Sequence, residues 1–340
     1  MLSKLDWPAR LPLALGPTPL QHLKRASEKW GRGKRLWMKR DDLTGSLLTG
    51  NKVRKLEFIA AYAKERGVDT LITCGGLQSN HARATAGVCA QLGWHCHLVL
   101  RGEQASLEGN TLLDCLLGAQ IDVVPEAQYQ RDLVSRLNQL AQRYREAGRK
   151  PLVIPTGGSN GLGIWGYLWA AKELLSDCTH ASINNAAVIT ATGSGGTQAG
   201  LTYGVDIAGA NLDVIGVAVC DDSQYFHDKV IADVDEARNQ WPWLPALSRA
   251  PKTWDDFIGP GYGLGYDGVY SSIRDLARLE GIVLDPVYTG KAFFGMTEAI
   301  KDGRLDGYSD IVFIHTGGIF GVFAHHEAFA THLQVAGEGQ

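Results

Sequence analysis

The stretch AAVITATGSGGTQAGLTYGVDIAGANLDVIGVAV, residues 186–219, decides the fold. Ala186–Ala191 is a short apolar run that reads as a strand. A glycine-rich turn, Thr192–Thr197, follows it, then a helical segment over Thr197–Ala208 and a second apolar run at Val214–Val219. Strands this short and this apolar are expected where helices cover both faces of a parallel sheet. The alternation extends outward in both directions. Upstream, Thr70–Cys74, His95–Leu100, Gln120–Val124 and Pro151–Ile154 read as strands, with helical segments at Ser79–Leu92, Asn110–Leu117 and Gln128–Ala147 between them. Gly161–Leu175 reads as a helix. Downstream, helices near Ser271–Glu280 and Gly290–Lys301 precede a strand at Ile311–His315. The β-α-β-α order predicts an α/β protein with open, twisted, mostly parallel sheets. Two such runs, about 52–160 and 163–340, predict two lobes with a cleft between them. Ligands in such folds sit beyond the carboxyl ends of the strands, so the loops there are where chemistry is sought.

Composition narrows the function. Lysine plus arginine is 33 and aspartate plus glutamate is 36 among 340 residues, a formal charge of −3, and 45% of residues are hydrophobic. These values exclude a disordered or fibrous chain and give no electrostatic footprint for nucleic acid or an anionic membrane. No stretch reaches the ~20 apolar residues that span a bilayer. Pro8, Pro12, Pro17 and Pro19 interrupt the apolar start, which lacks the continuous core of a secretory signal. Cys74, Cys89, Cys96, Cys115, Cys178 and Cys220 are scattered without a C-x-x-C pair, and read as reduced thiols of a cytoplasmic protein. Asp41-Asp42 and His325-His326 are adjacent pairs whose side chains point apart, so no metal site is expected.

Five constellations carry candidate chemistry. Gly50-Asn51-Lys52-Val53-Arg54-Lys55 opens a helix, and Lys52 and Lys55 share a face at its first turn. Cations gain nothing from the positive end of a helix dipole, so an anion bound there is one reason for them. A lysine also serves as an amine nucleophile toward a carbonyl. For an isolated lysine, a solvated surface charge is the plainer account. Gly75-Gly76-Leu77-Gln78-Ser79-Asn80-His81 joins a strand to a helix; a helix cap explains one of these polar residues but not four. Thr192-Gly193-Ser194-Gly195-Gly196-Thr197 can cradle a phosphate with backbone N–H groups. It resembles the start of a dinucleotide loop, with Asp213 near the distance of a ribose-binding acid, but Gln198 replaces the third glycine. Pro286-Val287-Tyr288-Thr289-Gly290-Lys291 and His315-Thr316-Gly317-Gly318 complete the set.

In this order these motifs resemble the pyridoxal-phosphate-dependent enzymes of fold type II, in particular the ACC deaminase and D-cysteine desulfhydrase family. The resemblance spans essentially the whole chain, from LGPTPL at 15–20 and MKRDDLTG at 38–45 to HTGG at 315–318. It implies a fold like the tryptophan synthase β subunit, with 1–51 and 163–340 as a large cofactor-binding domain and 52–162 as a small one. It further implies that Lys52 carries pyridoxal 5'-phosphate as a Schiff base. Gly193, Ser194, Gly195, Gly196 and Thr197 would bind the phosphate, with Asn51 and Lys55 beside them. Asn80 would bond the phenolic oxygen. Ser79, Asn80, His81 and Gln78 would face the substrate. Tyr288 and Tyr262 would be catalytic, and Lys52 the first candidate for α-proton removal, with Ser79 or Tyr288 as alternatives.

Thr289 and Thr316 stand where ACC deaminases of that family carry glutamate and leucine. A hydroxyl at the pyridine nitrogen makes a weaker electron sink than an acid, which suits expulsion of a good leaving group better than opening of a cyclopropane. The resemblance therefore implies β-elimination, with D-cysteine giving pyruvate, sulfide and ammonia. L-Cysteate sulfo-lyase and ACC deaminase activities are the alternatives within the class. A nucleotide-dependent oxidoreductase and a non-catalytic pyridoxal-phosphate-binding protein are the alternatives outside it. Gly317–His325 and Gly263–Tyr266 depart from the family pattern, and substrate choice is expected to lie there. The expected partners are a small amino-acid substrate and a second copy of the chain in a homodimer.

Overall fold

The computed structural model describes residues 2–104 and 106–333. Its apolar runs form two sheets. The smaller is wholly parallel, in the order β5-β4-β3-β6, from β3 (Thr70–Gly76), β4 (His95–Arg101), β5 (Gln120–Val124) and β6 (Pro151–Val153). The larger has the order β1-β2-β10-β7-β8-β9, from β1 (Leu20–His22), β2 (Arg35–Lys39), β7 (Ala186–Thr192), β8 (Leu212–Ala218), β9 (Lys252–Trp254) and β10 (Asp310–Ile314). Only β1 runs antiparallel to its neighbour, at the sheet's edge. The central strands β3, β7 and β10 are buried along their lengths, which is why they read as unbroken apolar runs.

Helices return the chain between strands. The principal ones here are α1 (Lys24–Trp30), α2 (Asn51–Glu65), α3 (Asn80–Leu92), α4 (Gly109–Leu116), α5 (Glu126–Glu146), α6 (Trp165–His180), α7 (Gly196–Ala208), α8 (Ser223–Gln240), α9 (Asp267–Glu280) and α10 (Thr289–Lys301). Their boundaries follow local chemistry. Ser79 caps α3 by accepting from Ala82 N–H, and Gly93 ends it in the left-handed region that glycine tolerates. Several elements differ from the sequence reading. β1, β2, β9 and the polar helix α8 are additional, and α6 begins at Trp165, not Gly161.

The largest apolar core draws on residues from both sides of positions 52 and 162. It runs from Val53, Leu56 and Ile59 on α2, through Trp165 and Leu168 on α6, to Ala199 and Tyr203 on α7. The helix backbones touch closely there. A Cβ on Gly166 would lie 2.4 Å from Arg54 O, and one on Gly200 would lie 2.5 Å from Ile164 O. Among the described residues no helix is long and apolar enough to cross a membrane.

A buried ionic cluster fixes α2 against this core. Asp41, fully buried, accepts from Arg54 Nε (2.9 Å) and Nη2 (2.8 Å), Thr18 Oγ1 (2.7 Å) and the Tyr167 hydroxyl (2.7 Å). Arg54 also reaches Glu173 at 2.9 Å. Burial raises the Asp41 carboxyl, but the Arg54 charge and these donors outweigh it and hold it below its ordinary 3.8. Its contribution to stability is therefore present above that value and lost only as pH falls through the lower folded-state one. Arg54→Met leaves a buried carboxylate without its counter-ion and is expected to cost about 3–5 kcal/mol. Adding Asp41→Asn should restore part of that, as read from denaturant midpoints.

Candidate active site

A cavity of about 280 Å³ opens where strand ends of the two sheets meet. Three helices point their N-termini at it, α3 through Ser79 and Asn80, and α2 and α7 side by side. Asn51 and Lys52 open α2, Gly196 and Thr197 open α7, and Asn51 Nδ2 donates to Thr197 Oγ1 at 2.9 Å. The converging dipoles make the junction attractive to an anion. The turn before α7 requires glycine: Gly195 has φ +83, and a Cβ on Gly196 would lie 2.7 Å from Ser159 Oγ.

Hydrogen-bond bookkeeping shows which groups this cradle leaves free. Ser159 Oγ accepts from Lys55 Nζ (2.9 Å) and Gly196 N–H (3.2 Å), so its proton goes to Ser194 Oγ at 2.8 Å. The Ser194 proton then remains for a ligand. Thr192 Oγ1 is buried, lines the cavity and has no partner. Thr73 Oγ1 donates to Ile154 O, so His81 donates to it from Nε2, which leaves His81 Nδ1 an unpartnered acceptor. Burial, then the charges of Lys52 and Lys55, push His81 well below its ordinary value and keep it neutral.

Lys52 lines the cavity, and burial lowers its amine to about 8. At pH 7 about a tenth of it is therefore the free, nucleophilic base, far more than for an ordinary lysine. Asn80 presents one end only. Its Oδ1 accepts from Arg83 Nη1 (3.3 Å) and Asn110 Nδ2 (3.2 Å), so its NH₂ is left to donate to an electron-rich oxygen in the cavity. Arg83 also donates from Nη2 to Thr49 O (2.8 Å), tying Asn80 to the turn that leads into Lys52. The Tyr262 and Tyr288 hydroxyls bond each other on the lining. Burial, then Tyr262, push Tyr288 well above the ordinary phenol range, so it holds its proton.

The cavity thus gathers Asn51, Lys52, Ser79, Asn80, His81, Gly193, Ser194, Gly195, Thr197, Tyr262, Tyr288 and Thr316 from the sequence-level set. Four others fall outside the lining: Gly196, whose backbone N–H is taken by Ser159 Oγ, and Gln78, Thr289 and Lys55. Gln78 accepts from Asn110 N–H (2.8 Å) and donates to Glu108 O (3.2 Å), so it braces α3 against α4 and does not face substrate. Thr289 donates to Asp285 Oδ1 (2.7 Å) and accepts from Asp285 N–H (2.9 Å), which leaves Thr316 as the hydroxyl on the lining. Lys55 sits behind Gly196 and holds Gly157 O and Ser159.

The departures at 263–266 also lie off the cavity. Tyr266 bonds Phe257 O, and Leu264 is exposed. Of 317–325, only Gly317 reaches the lining. Asp213 bonds Tyr308 and Lys252 near the start of β8, at the opposite end of the sheet from the glycine loop, and this removes the ribose-binding reading. Sequence reasoning missed Thr156–Ser159, although T-G-G-S after an apolar strand repeats the signal at 74–79. It also missed Arg101, Tyr129 and Asp221, which line the cavity.

Comparison with known proteins agrees with this geometry. A family model described as "Pyridoxal-phosphate dependent enzyme" matches residues 11–317. A Thermotoga maritima protein named "Putative 1-aminocyclopropane-1-carboxylate deaminase" is 43% identical over 320 residues, 93% of this chain and 98% of that one. A crystal structure of an ACC deaminase homologue superposes with a TM-score of 0.88 at 36% identity, over 96% of this chain and 97% of the other. The processed form of threonine deaminase isoform 2 from Solanum lycopersicum shares the fold alone. Its TM-score is 0.66 at 16% identity, over 97% of this chain and 85% of that one.

The site fits the cofactor of that family on its own features: an unencumbered amine at Lys52, a glycine cradle at two helix ends, an orphaned Thr192 hydroxyl and an oriented Asn80 amide. Covalent capture of pyridoxal phosphate by the apoprotein should accelerate with pH and level off above about 8, the value of Lys52. Stopped-flow absorbance reads this, and Lys52→Ala should show no covalent capture.

Proposed function

Because the chain belongs to the pyridoxal-phosphate-dependent enzymes, we propose that it catalyses β-elimination on a small amino acid, with D-cysteine giving pyruvate, sulfide and ammonia. Its lyase class and cofactor are those of its relatives in the ACC deaminase and D-cysteine desulfhydrase branch. When bound, pyridoxal phosphate supplies the electron sink that amino-acid side chains lack.

The chain's own residues do the rest. Lys52 holds the cofactor and, as a free amine lowered to about 8, is the base best matched to removing a proton at Cα. Tyr288 retains its proton and with Tyr262 acts as a donor, not as the base. Ser79 accepts from Ala82 N–H, so its own proton is free to meet the substrate carboxylate at the N-terminus of α3. The observation that carries elimination over ring opening is the pair Thr316 and Thr289. The lining offers an uncharged hydroxyl at Thr316, while Thr289 is turned away to Asp285.

The names of the two similar proteins favour a second reading, opening of 1-aminocyclopropane-1-carboxylate to 2-oxobutanoate and ammonia. Products separate the two. Holoenzyme is expected to release pyruvate and sulfide from D-cysteine and to leave 1-aminocyclopropane-1-carboxylate nearly untouched. Release of 2-oxobutanoate as the faster reaction would overturn the elimination reading. Glutamate at 289 would lie against Asp285, so Thr289→Glu is expected to destabilise the fold before it changes the chemistry.

A further inference from the structure

The lining holds a cation that the roles above leave without work. β4 ends at Arg101, whose register partner on β3 is Gly76. A Cβ on Gly76 would lie 3.9 Å from the Tyr262 ring, an ordinary contact, so Tyr262 packs beside this strand end. The Arg101 guanidinium lies 5.2 Å from the Tyr262 ring centre and 5.8 Å from that of Tyr129. The two rings help to orient the group while leaving N–H donors beyond the one to Glu126 available. Its carboxylate partner, Glu126 at 3.2 Å, is 63% exposed, so water competes for that pair and it holds the guanidinium weakly. The phosphate cradle at 193–197 is served by helix ends on the other sheet, and Lys52 is committed to the cofactor. Asp221, held at φ +50, also faces the cavity and is the one lining carboxylate among the described residues.

We propose that Arg101 recognises the negative charge that the β-substituent of the substrate carries when it binds, and that the substrates are small amino acids with a thiolate or sulfonate there. This rests on the elimination reading above. The step balances without a redox partner. A base takes the α-proton, the Cβ–S bond breaks with its electron pair going to sulfur, and sulfide or sulfite leaves. Water then converts the remaining three-carbon enamine to pyruvate and ammonia. Arg101 stays protonated throughout and stabilises the charge that gathers on sulfur. Ring opening of a cyclopropane expels no anion, so it gives Arg101 nothing to do.

The test compares wild-type, Arg101→Gln and Arg101→Lys holoenzymes on both enantiomers of cysteine and of cysteate, on β-chloro-D-alanine and on 1-aminocyclopropane-1-carboxylate. For the preferred sulfur substrate, Arg101→Gln should lower kcat/KM about ten- to hundredfold, the scale of a hydrogen bond to a charged group. Arg101→Lys should recover part of it, and β-chloro-D-alanine, uncharged at its β-substituent until chloride leaves, should lose less than the sulfur substrate. An equal loss on every amino acid would assign Arg101 to the shared α-carboxylate and overturn the proposal. No change on any would reduce it to a partner of Glu126 and overturn it too. Binding of homocysteate against 2-aminobutanoate, read from cofactor absorbance, measures charge preference without turnover. If no amino acid in the panel releases pyruvate from wild type, the elimination reading fails. The homocysteate titration still decides the charge preference, which requires tighter binding of homocysteate that Arg101→Gln abolishes.

Discussion

The Asp41 carboxylate receives donors from Arg54, Thr18 and Tyr167 in a place water does not reach. Such a charge is tolerated only when its partners are held in place, and those partners come from three separate parts of the chain. Arg54 lies two residues beyond Lys52 on the same helix. Anchoring the guanidinium therefore fixes both the rotation and the axial position of α2. The amine at Lys52 meets the cavity because the other face of its helix is tied down. The close backbone contact of Gly166 with Arg54 O adds a steric limit to the electrostatic one.

With α2 fixed, the rest of the site assembles from helix ends. α2 and α7 meet through Asn51 and Thr197, while α3 brings Ser79 and Asn80 from the other sheet. Each N-terminus exposes unpaired N–H groups, and together they create an environment suited to a ligand with several anionic groups. Lys55 would be unfavourable at such a place if it were charged and idle. Here it is committed to Gly157 O and Ser159, and burial, then Lys52, lower its amine well below the ordinary value.

Much of this was legible in the sequence because it depends on local signals. The apolar runs at 70–74, 186–191 and 311–315 announce central parallel strands, and glycine-rich turns after them announce the ligand side. What escaped depends on partners distant along the chain. Gln78 and Asn80 look equivalent in sequence, and Asn110 claims the side-chain carbonyl of both, but Glu108 O also takes the amide of Gln78, while that of Asn80 is left for the cavity. Thr289 looks like a ligand contact until Asp285 takes its hydroxyl. Arg101 gives no signal at all, since a lone arginine after a strand is ordinary; only the fold places Tyr129 and Tyr262 around it. β1 and β9 are three residues each, too short for any period to show.

Ser159 follows the last strand of the smaller sheet, yet its hydroxyl completes the turn at Ser194 and Gly196 after a strand of the larger one. The anion cradle is thus owned by neither half of the chain. For inheritance this means that the halves are not interchangeable parts. A recombinant that joined residues 1–162 of one relative to the remainder of another would have to keep Lys55, Ser159 and 193–197 as a matched set. The cradle therefore passes from ancestor to descendant as one unit.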